Sequence, residues 1–514
     1  MRRRPRAARP RGPLAGTAGS GAVGSGAVGS GAEDSGTADP GAVGSGAVGS
    51  GTADSGTADP GTELAGLRVL IANWRDPWHP EAGGAERYAW EMARALTARG
   101  AAVRFLTARA DGQGRGECRD GIEVIRRGGR FTLYPRALGW LLSHRRWADV
   151  VLDCQNGIPF FSPVALRRRT PVLCVMHHVH TAQFGVHFPP WLAGIGRLLE
   201  GPAARLAYRG QGCVAVSPST IGAMRTQLRW PGPVYLIPNG TPEAVAGGQP
   251  RPDGPDDDGQ PARLAWIGRL VAHKRAELLV PLAARGFTVD VVGRGPGAAA
   301  LATAITAAER SAGGLPGAIH RHGYLPEADK NAILARALLH LSTSQGEGWG
   351  LCVLEAAALG VPTVGYDVEG LRDSVLDGQT GWLVRPGEEL ADAVERAARE
   401  LADPVRRAEV AAACRAWAGQ LTWERSTSRM AALVAACARR GTSLADNPGT
   451  WIVARGGDTV AGSTVAGSTV VAEGPVLDEL IESGATVVRR ATAAEQLLGE
   501  VSGTARPAGT TVAR

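Results

Sequence analysis

Lysine is nearly missing from this 514-residue chain: Lys274 and Lys330 are the only lysines among its 56 Lys and Arg residues. A lysine kept against that bias invites a specific reason, because a compact ammonium does what a planar guanidinium does not. Cysteine is also sparse. The seven cysteines are scattered from Cys118 to Cys437 without a C-x-x-C pair, which argues against a disulfide framework or a zinc site and fits a reducing cytoplasm. No apolar run approaches the roughly 18–20 residues of a membrane span, and the N-terminal arginines have no apolar segment behind them. The expectation is a soluble, unexported protein. Aromatics are only 5% of residues and acids are interspersed with arginines, so the formal charge of +7 reads as a mixed surface and not as a nucleic-acid interface.

What is present falls into five stretches. Residues 1–64 contain "GAVGSGAVGSGAEDSGTADP" at 21–40 and nearly the same text at 41–60. That composition has too few large apolar groups to offset chain entropy and predicts a disordered extension. Its G-S-G-A-V-G at 24–29 formally matches a dinucleotide fingerprint, but no strand precedes it and no helix follows. From 65 to 240, apolar runs at 67–72, 102–107, 148–153, 172–176 and 213–217 alternate with helical patterns. Residues 241–262 read as a Gly/Pro/Asp-rich linker, and residues 263–441 resume the alternation with runs at 263–268, 288–293, 338–343 and 361–366. The fold class is therefore α/β, with two Rossmann-like domains facing a cleft. Residues 442–514 form a tail to which the sequence assigns no function.

The candidate site residues lie in the turns that follow strands. Gly83 and Gly84 stand before a helix expected over 85–98, where backbone N–H groups and the helix dipole suit an anion. In "WIGRLVAHKR", Arg269 and Lys274 follow the second domain's first strand, and together they suit a diphosphate. "SQGEGWGLCVLEAAALG", residues 344–360, keeps Glu347 in a glycine-rich loop while Glu355 falls on the helix after it. A carboxylate in that loop can accept sugar hydroxyls; one on the helix can reach ribose hydroxyls.

"EGWGLCVLE" matches the E-x7-E pattern of the retaining, family-four type of GT-B glycosyltransferases (glycosyl transferases group 1), and "GRLVAHK" matches their G-R-x-x-x-x-K element. "AGGAERY", "IPNGT", "VGRGP" and "HGYLPEADK" follow in the expected order, and the resemblance runs from about 67 to 440. It implies transfer of a hexose-type sugar from a nucleotide diphosphate donor with retention, without a metal or other cofactor. It also implies roles. Arg269 and Lys274 neutralise the leaving diphosphate, Glu347 and His177 hold the donor sugar, and Glu355 contacts ribose. Gly84 approaches the donor phosphate or the acceptor, the helix start at Gly350 and Leu351 holds phosphate, and backbone at Gly293, Arg294, Tyr324 and Leu325 borders the base. No general base is required if the departing phosphate oxygen takes the acceptor's proton. "DDD" at 256–258 formally satisfies a metal-binding D-x-D but lies in the linker.

Other readings remain. The histidines 177, 178 and 180 raise the question of a metal, although one strand and its loop do not readily converge three imidazoles. A nucleotide-sugar epimerase, a phosphorylase, or a non-catalytic nucleotide-sugar binding protein would suit the same two-domain layout. Residues 184–210 mix aromatic, apolar and Arg side chains and would line an acceptor pocket, pack in the core, or touch a membrane surface. The acceptor (a glycan, a lipid-linked group or a secondary metabolite) is open. The expected location is cytoplasmic, with peripheral contact at the inner face of the membrane as a variant.

Overall fold

The computed structural model describes residues 63–130, 132–232, 234–241 and 262–440, together with three short strands at 451–454, 469–472 and 486–490. The repeats, the N-terminal fingerprint match and most of the linker lie outside the described residues. Two sheets dominate. The first comprises β1 (Arg68–Ala72), β2 (Ala102–Thr107), β3 (Gly116–Arg119), β4 (Ile122–Arg126), β5 (Val150–Gln155), β6 (Val172–Met176), β7 (Gly212–Ala215) and β8 (Val234–Leu236). Their order is β3-β4-β2-β1-β5-β6-β7-β8, and every pair is parallel except the antiparallel β3–β4 edge.

Period-two alternation serves both faces of this sheet. Val69 and Ile71 of β1 join one core with the helix Gly84–Ala98, while Leu70 and Ala72 join the other with the helix Leu133–Ser143. Leu64 is fully buried in the first of these cores, so the ordered domain begins before residue 65.

The second sheet comprises β9 (Arg263–Ile267), β10 (Thr288–Val292), β11 (Ala318–Gly323), β12 (Leu339–Ser342), β13 (Thr363–Tyr366) and β14 (Gly381–Val384). It is wholly parallel in the order β11-β10-β9-β12-β13-β14. Strand order reverses beside β1 in the first sheet and beside β9 in the second. Loops leaving the carboxyl ends of β1 and β5, and of β9 and β12, therefore diverge and leave a crevice at each reversal.

The helix Trp423–Arg440, expected in the second domain, packs instead against the first. It buries Met430, Leu433 and Val434 beside Leu96 and Val103, each contributing about 1.5–3 kcal/mol. The chain thus crosses between domains twice, and the crossings touch: Thr241 N donates to Leu421 O at 2.6 Å. Gly240 lies so close to Trp423 that an added Cβ would strike backbone. The three tail strands form a separate antiparallel sheet. Among the described residues no helix is long and apolar enough to cross a membrane.

Candidate active site

A cavity of about 620 Å³ opens between the carboxyl ends of the two sheets. All twelve residues given roles by the resemblance line it: Gly84 and His177 from the first domain, and Arg269, Lys274, Gly293, Arg294, Tyr324, Leu325, Glu347, Gly350, Leu351 and Glu355 from the second.

Lys274 ends a short 3-10 turn after β9, and Glu347 lies in the loop after β12, so the two straddle the strand reversal. Lys274 Nζ donates to Glu347 Oε1, and Ser344 Oγ donates to the same oxygen at 2.5 Å. Burial would raise the Glu347 carboxyl, yet the charge and hydrogen bond of Lys274, with Ser344, hold it below the usual carboxylate range. The site thus holds a neutralised but ionised pair.

Arg275 fixes this arrangement. Its φ of 46° is left-handed, rare for a residue with a side chain. The guanidinium donates to Thr343 O at 2.8 Å and Ser344 O at 3.3 Å and lies over the Tyr366 ring at 4.2 Å. Thr343 Oγ1 donates in turn to Lys274 O and accepts from Trp266 Nε1 at 2.9 Å. The loop bearing the cation and the loop bearing the anion are thereby held as one unit.

Glu355 sits on the helix Leu351–Ala358, only 5% exposed. Lys330 Nζ donates to its Oε2 at 2.8 Å, and Arg87 Nη1, from the first domain, lies 3.5 Å from Oε1. Burial alone would lower the Lys330 ammonium, but Glu355 raises it above the ordinary lysine value. Arg269 also spans the cleft, donating to Glu81 O at 3.4 Å. Glycine is required where loops of the cleft approach one another, both across the cleft and within the second domain. A Cβ on Gly348 would collide with His177 O, and one on Gly293, at φ 139°, would collide with Gly268 O. Gly84 faces Leu351, whose Cδ1 lies 2.9 Å from where a Cβ would stand.

His177 is buried, and its Nε2 has no hydrogen-bond partner. Its ring meets Tyr88 edge-on at 5.0 Å. Burial, reinforced by His180, lowers its pKa to about 4, so the imidazole is neutral near pH 7. His178 is likewise lowered to about 4, first by burial. Among the described residues no group of three or more His, Cys, Asp or Glu side chains is placed to hold a metal ion. Arg294 lies 4.9 Å over the ring of Tyr324, which is 69% exposed and offers a flat surface at the cavity edge.

The sequence model of the family Glycosyltransferase Family 4 matches residues 82–244, and that of Glycosyl transferases group 1 matches residues 261–400. The chain belongs to the family-four type of GT-B glycosyltransferases. This family-four chain is 26% identical over 385 residues to glycogen synthase of Mycobacterium tuberculosis (strain ATCC 25618 / H37Rv), spanning 67% of this chain and 89% of that one. Two solved structures share the fold. Sucrose-phosphate synthase from Thermosynechococcus elongatus superposes with a TM-score of 0.57 at 20% identity, covering 71% of this chain and 98% of that one. Anabaena Alr3699/HepE in complex with UDP-glucose gives 0.55 at 18% identity, covering 72% and 99%.

Within this glycosyltransferase, four cavity-facing or supporting residues escaped the sequence reading as site residues: Arg87, Lys330, Arg275 and Ser344. Lys330 carried a signal in its rarity, and Arg87 stands within "AGGAERY". Arg275 and Ser344 carried none, because their work depends on two loops that meet only in the folded sheet.

Proposed function

We propose that this glycosyltransferase moves a hexose-type sugar from a nucleoside diphosphate donor to an acceptor, with retention at the anomeric carbon and without a metal. The observation that carries the reading is the pairing of Lys274 with Glu347 at the strand reversal, with Arg269 lining the same cavity. A diphosphate entering there meets two cations fixed before it arrives, which is how charge developing on a leaving group is stabilised. Displaced from Lys274, the Glu347 carboxylate is free to accept hydroxyls of the transferred sugar. Neutral His177, whose buried Nε2 has no partner within the protein, supplies a further polar group near the reacting carbon. Glu355, held by Lys330, faces the ribose, and Tyr324 with Arg294 borders the base. The leaving phosphate oxygen takes the acceptor's proton, so Glu347 is not assigned as a general base. UDP-glucose in the fold relative HepE supports a donor of this class.

Thermal-shift measurements against UDP-, GDP-, ADP- and TDP-sugars, followed by turnover with the best donor and NMR of the product anomer, test the reading. Stabilisation by one donor, release of nucleoside diphosphate in EDTA and a retained anomer are expected. An inverted product, or activity lost in EDTA and restored only by Mn²⁺ or Mg²⁺, would refute it.

A further inference from the structure

The crossover from β6 to β7 contains a feature that the transfer reaction does not use. The helix Pro190–Leu198 continues through a π-turn, Leu199–Ala203, into Ala204–Ala207. One side is buried through Ala193, Gly196, Glu200 and Ala204. Gly196 seats against the ring of Phe184, where a Cβ would stand 2.8 Å from the ring. The other side is apolar and bare: Trp191 is 69% exposed, Ile195 44%, Leu198 56% and Leu206 77%. Pro202 is exposed between them. At a 1.5 Å rise per residue this stripe runs about 22 Å. Single exposed apolar residues are ordinary, but a row along one helix face marks an interaction surface.

The stripe lies in a strongly basic stretch of sequence, and Arg197 and Arg209 are exposed on and just after the same helical segment. Residues 133–229 hold eleven arginines and three acids, an excess larger than the +7 of the whole chain. This stretch is richer in arginine than the mixed composition of the chain as a whole. None of the three acids offsets that field at the surface. Asp149 is paired with Arg68 at 2.8 Å. Asp153 is fully buried and accepts from Ser162 and Tyr208. Glu200 is fully buried and accepts from His180 N and Thr181 Oγ1. Arg167, Arg168, Arg169 and Arg209 are exposed. Val164, 65% exposed, adds apolar surface on a second element packed against the same sheet face.

We infer that this face docks peripherally on a lipid bilayer bearing anionic headgroups. An apolar helix side sinks into the headgroup boundary while cations beside it meet lipid phosphates. The two signals together hold a protein at a membrane where either alone is weak. A uniform anionic plane also matches a border of arginines more directly than a mixed-charge protein face does. The docking is independent of the chemistry in the cleft.

Co-sedimentation of the full chain with vesicles tests it. Binding is expected to phosphatidylcholine vesicles containing about one third phosphatidylglycerol, and to weaken steeply as salt rises, but not to phosphatidylcholine alone. The double variant Trp191→Glu with Leu206→Glu should bind at least about tenfold more weakly with an unchanged melting temperature, since both side chains face outward. Arg168→Gln with Arg209→Gln should weaken binding at low salt and flatten its salt dependence. No binding to anionic vesicles, equal binding to neutral ones, or unaltered binding by the Trp191/Leu206 variant would each overturn the inference. So would a concentration-dependent dimer, seen by light scattering, that Leu206→Glu abolishes.

Discussion

Lys274 and Glu347 neutralise each other across the strand reversal of the second sheet, the lysine from the loop after β9 and the glutamate from the loop after β12. A diphosphate approaching Lys274 competes with that carboxylate. Glu347→Gln should therefore bind free nucleoside diphosphate at least as tightly as the wild type, measured by calorimetry, while turnover falls by about 100-fold or more. Lys274→Ala should lose both binding and turnover. Near-normal turnover in both variants would remove the proposed site.

Lys330 and Arg87 share Glu355 unequally, at 2.8 Å and 3.5 Å. Removing Lys330 leaves a buried carboxylate poorly paired and free to turn. Lys330→Ala should weaken donor binding by about tenfold or more, and Arg87→Ala by clearly less. Equal effects would show that Arg87, reaching from the opposite domain, matters as much as the nearer cation.

Much of this was legible in the linear text. Apolar runs located β1, β2, β5, β6, β7, β9, β10, β12 and β13 because each is buried on both faces, and glycine spacing separated a loop Glu347 from a helical Glu355. β3, β4, β8, β11 and β14 escaped. β3 lies at a sheet edge, where half its residues face solvent, while β8 spans three residues and leaves little period to detect. The destination of the helix Trp423–Arg440 was hidden for another reason: its apolar stripe shows that it packs, not on which domain.

Gly348 tests the contact between domains. An added Cβ meets His177 O, a backbone atom that cannot rotate away. Gly348→Ala should cost about 1–3 kcal/mol by urea denaturation and should lower turnover by shifting the loop that carries Glu347. An alanine variant of wild-type stability and activity would contradict the close approach.

Acid should destabilise the fold through its buried histidines. Burial lowers His177 and His178 to about 4 and His340 to about 3, whereas in the unfolded chain a histidine titrates near 6.5. Between pH 6.5 and about 4 the unfolded state binds more protons, so stability falls as pH drops through that window, by about 1.4 kcal/mol per pH unit for each histidine. Above pH 6.5 these groups make no difference. Urea midpoints at pH 7.5 and 5 should differ strongly in the wild type and less in His340→Gln.

The twin chain crossings, joined by Thr241 N to Leu421 O and closed up by Gly240 against Trp423, have a mechanical meaning. Two crossings tied at one place make a single narrow neck between the two domains, so opening the cleft would turn about that neck and would first break Arg269–Glu81 and Arg87–Glu355, the contacts on its far side.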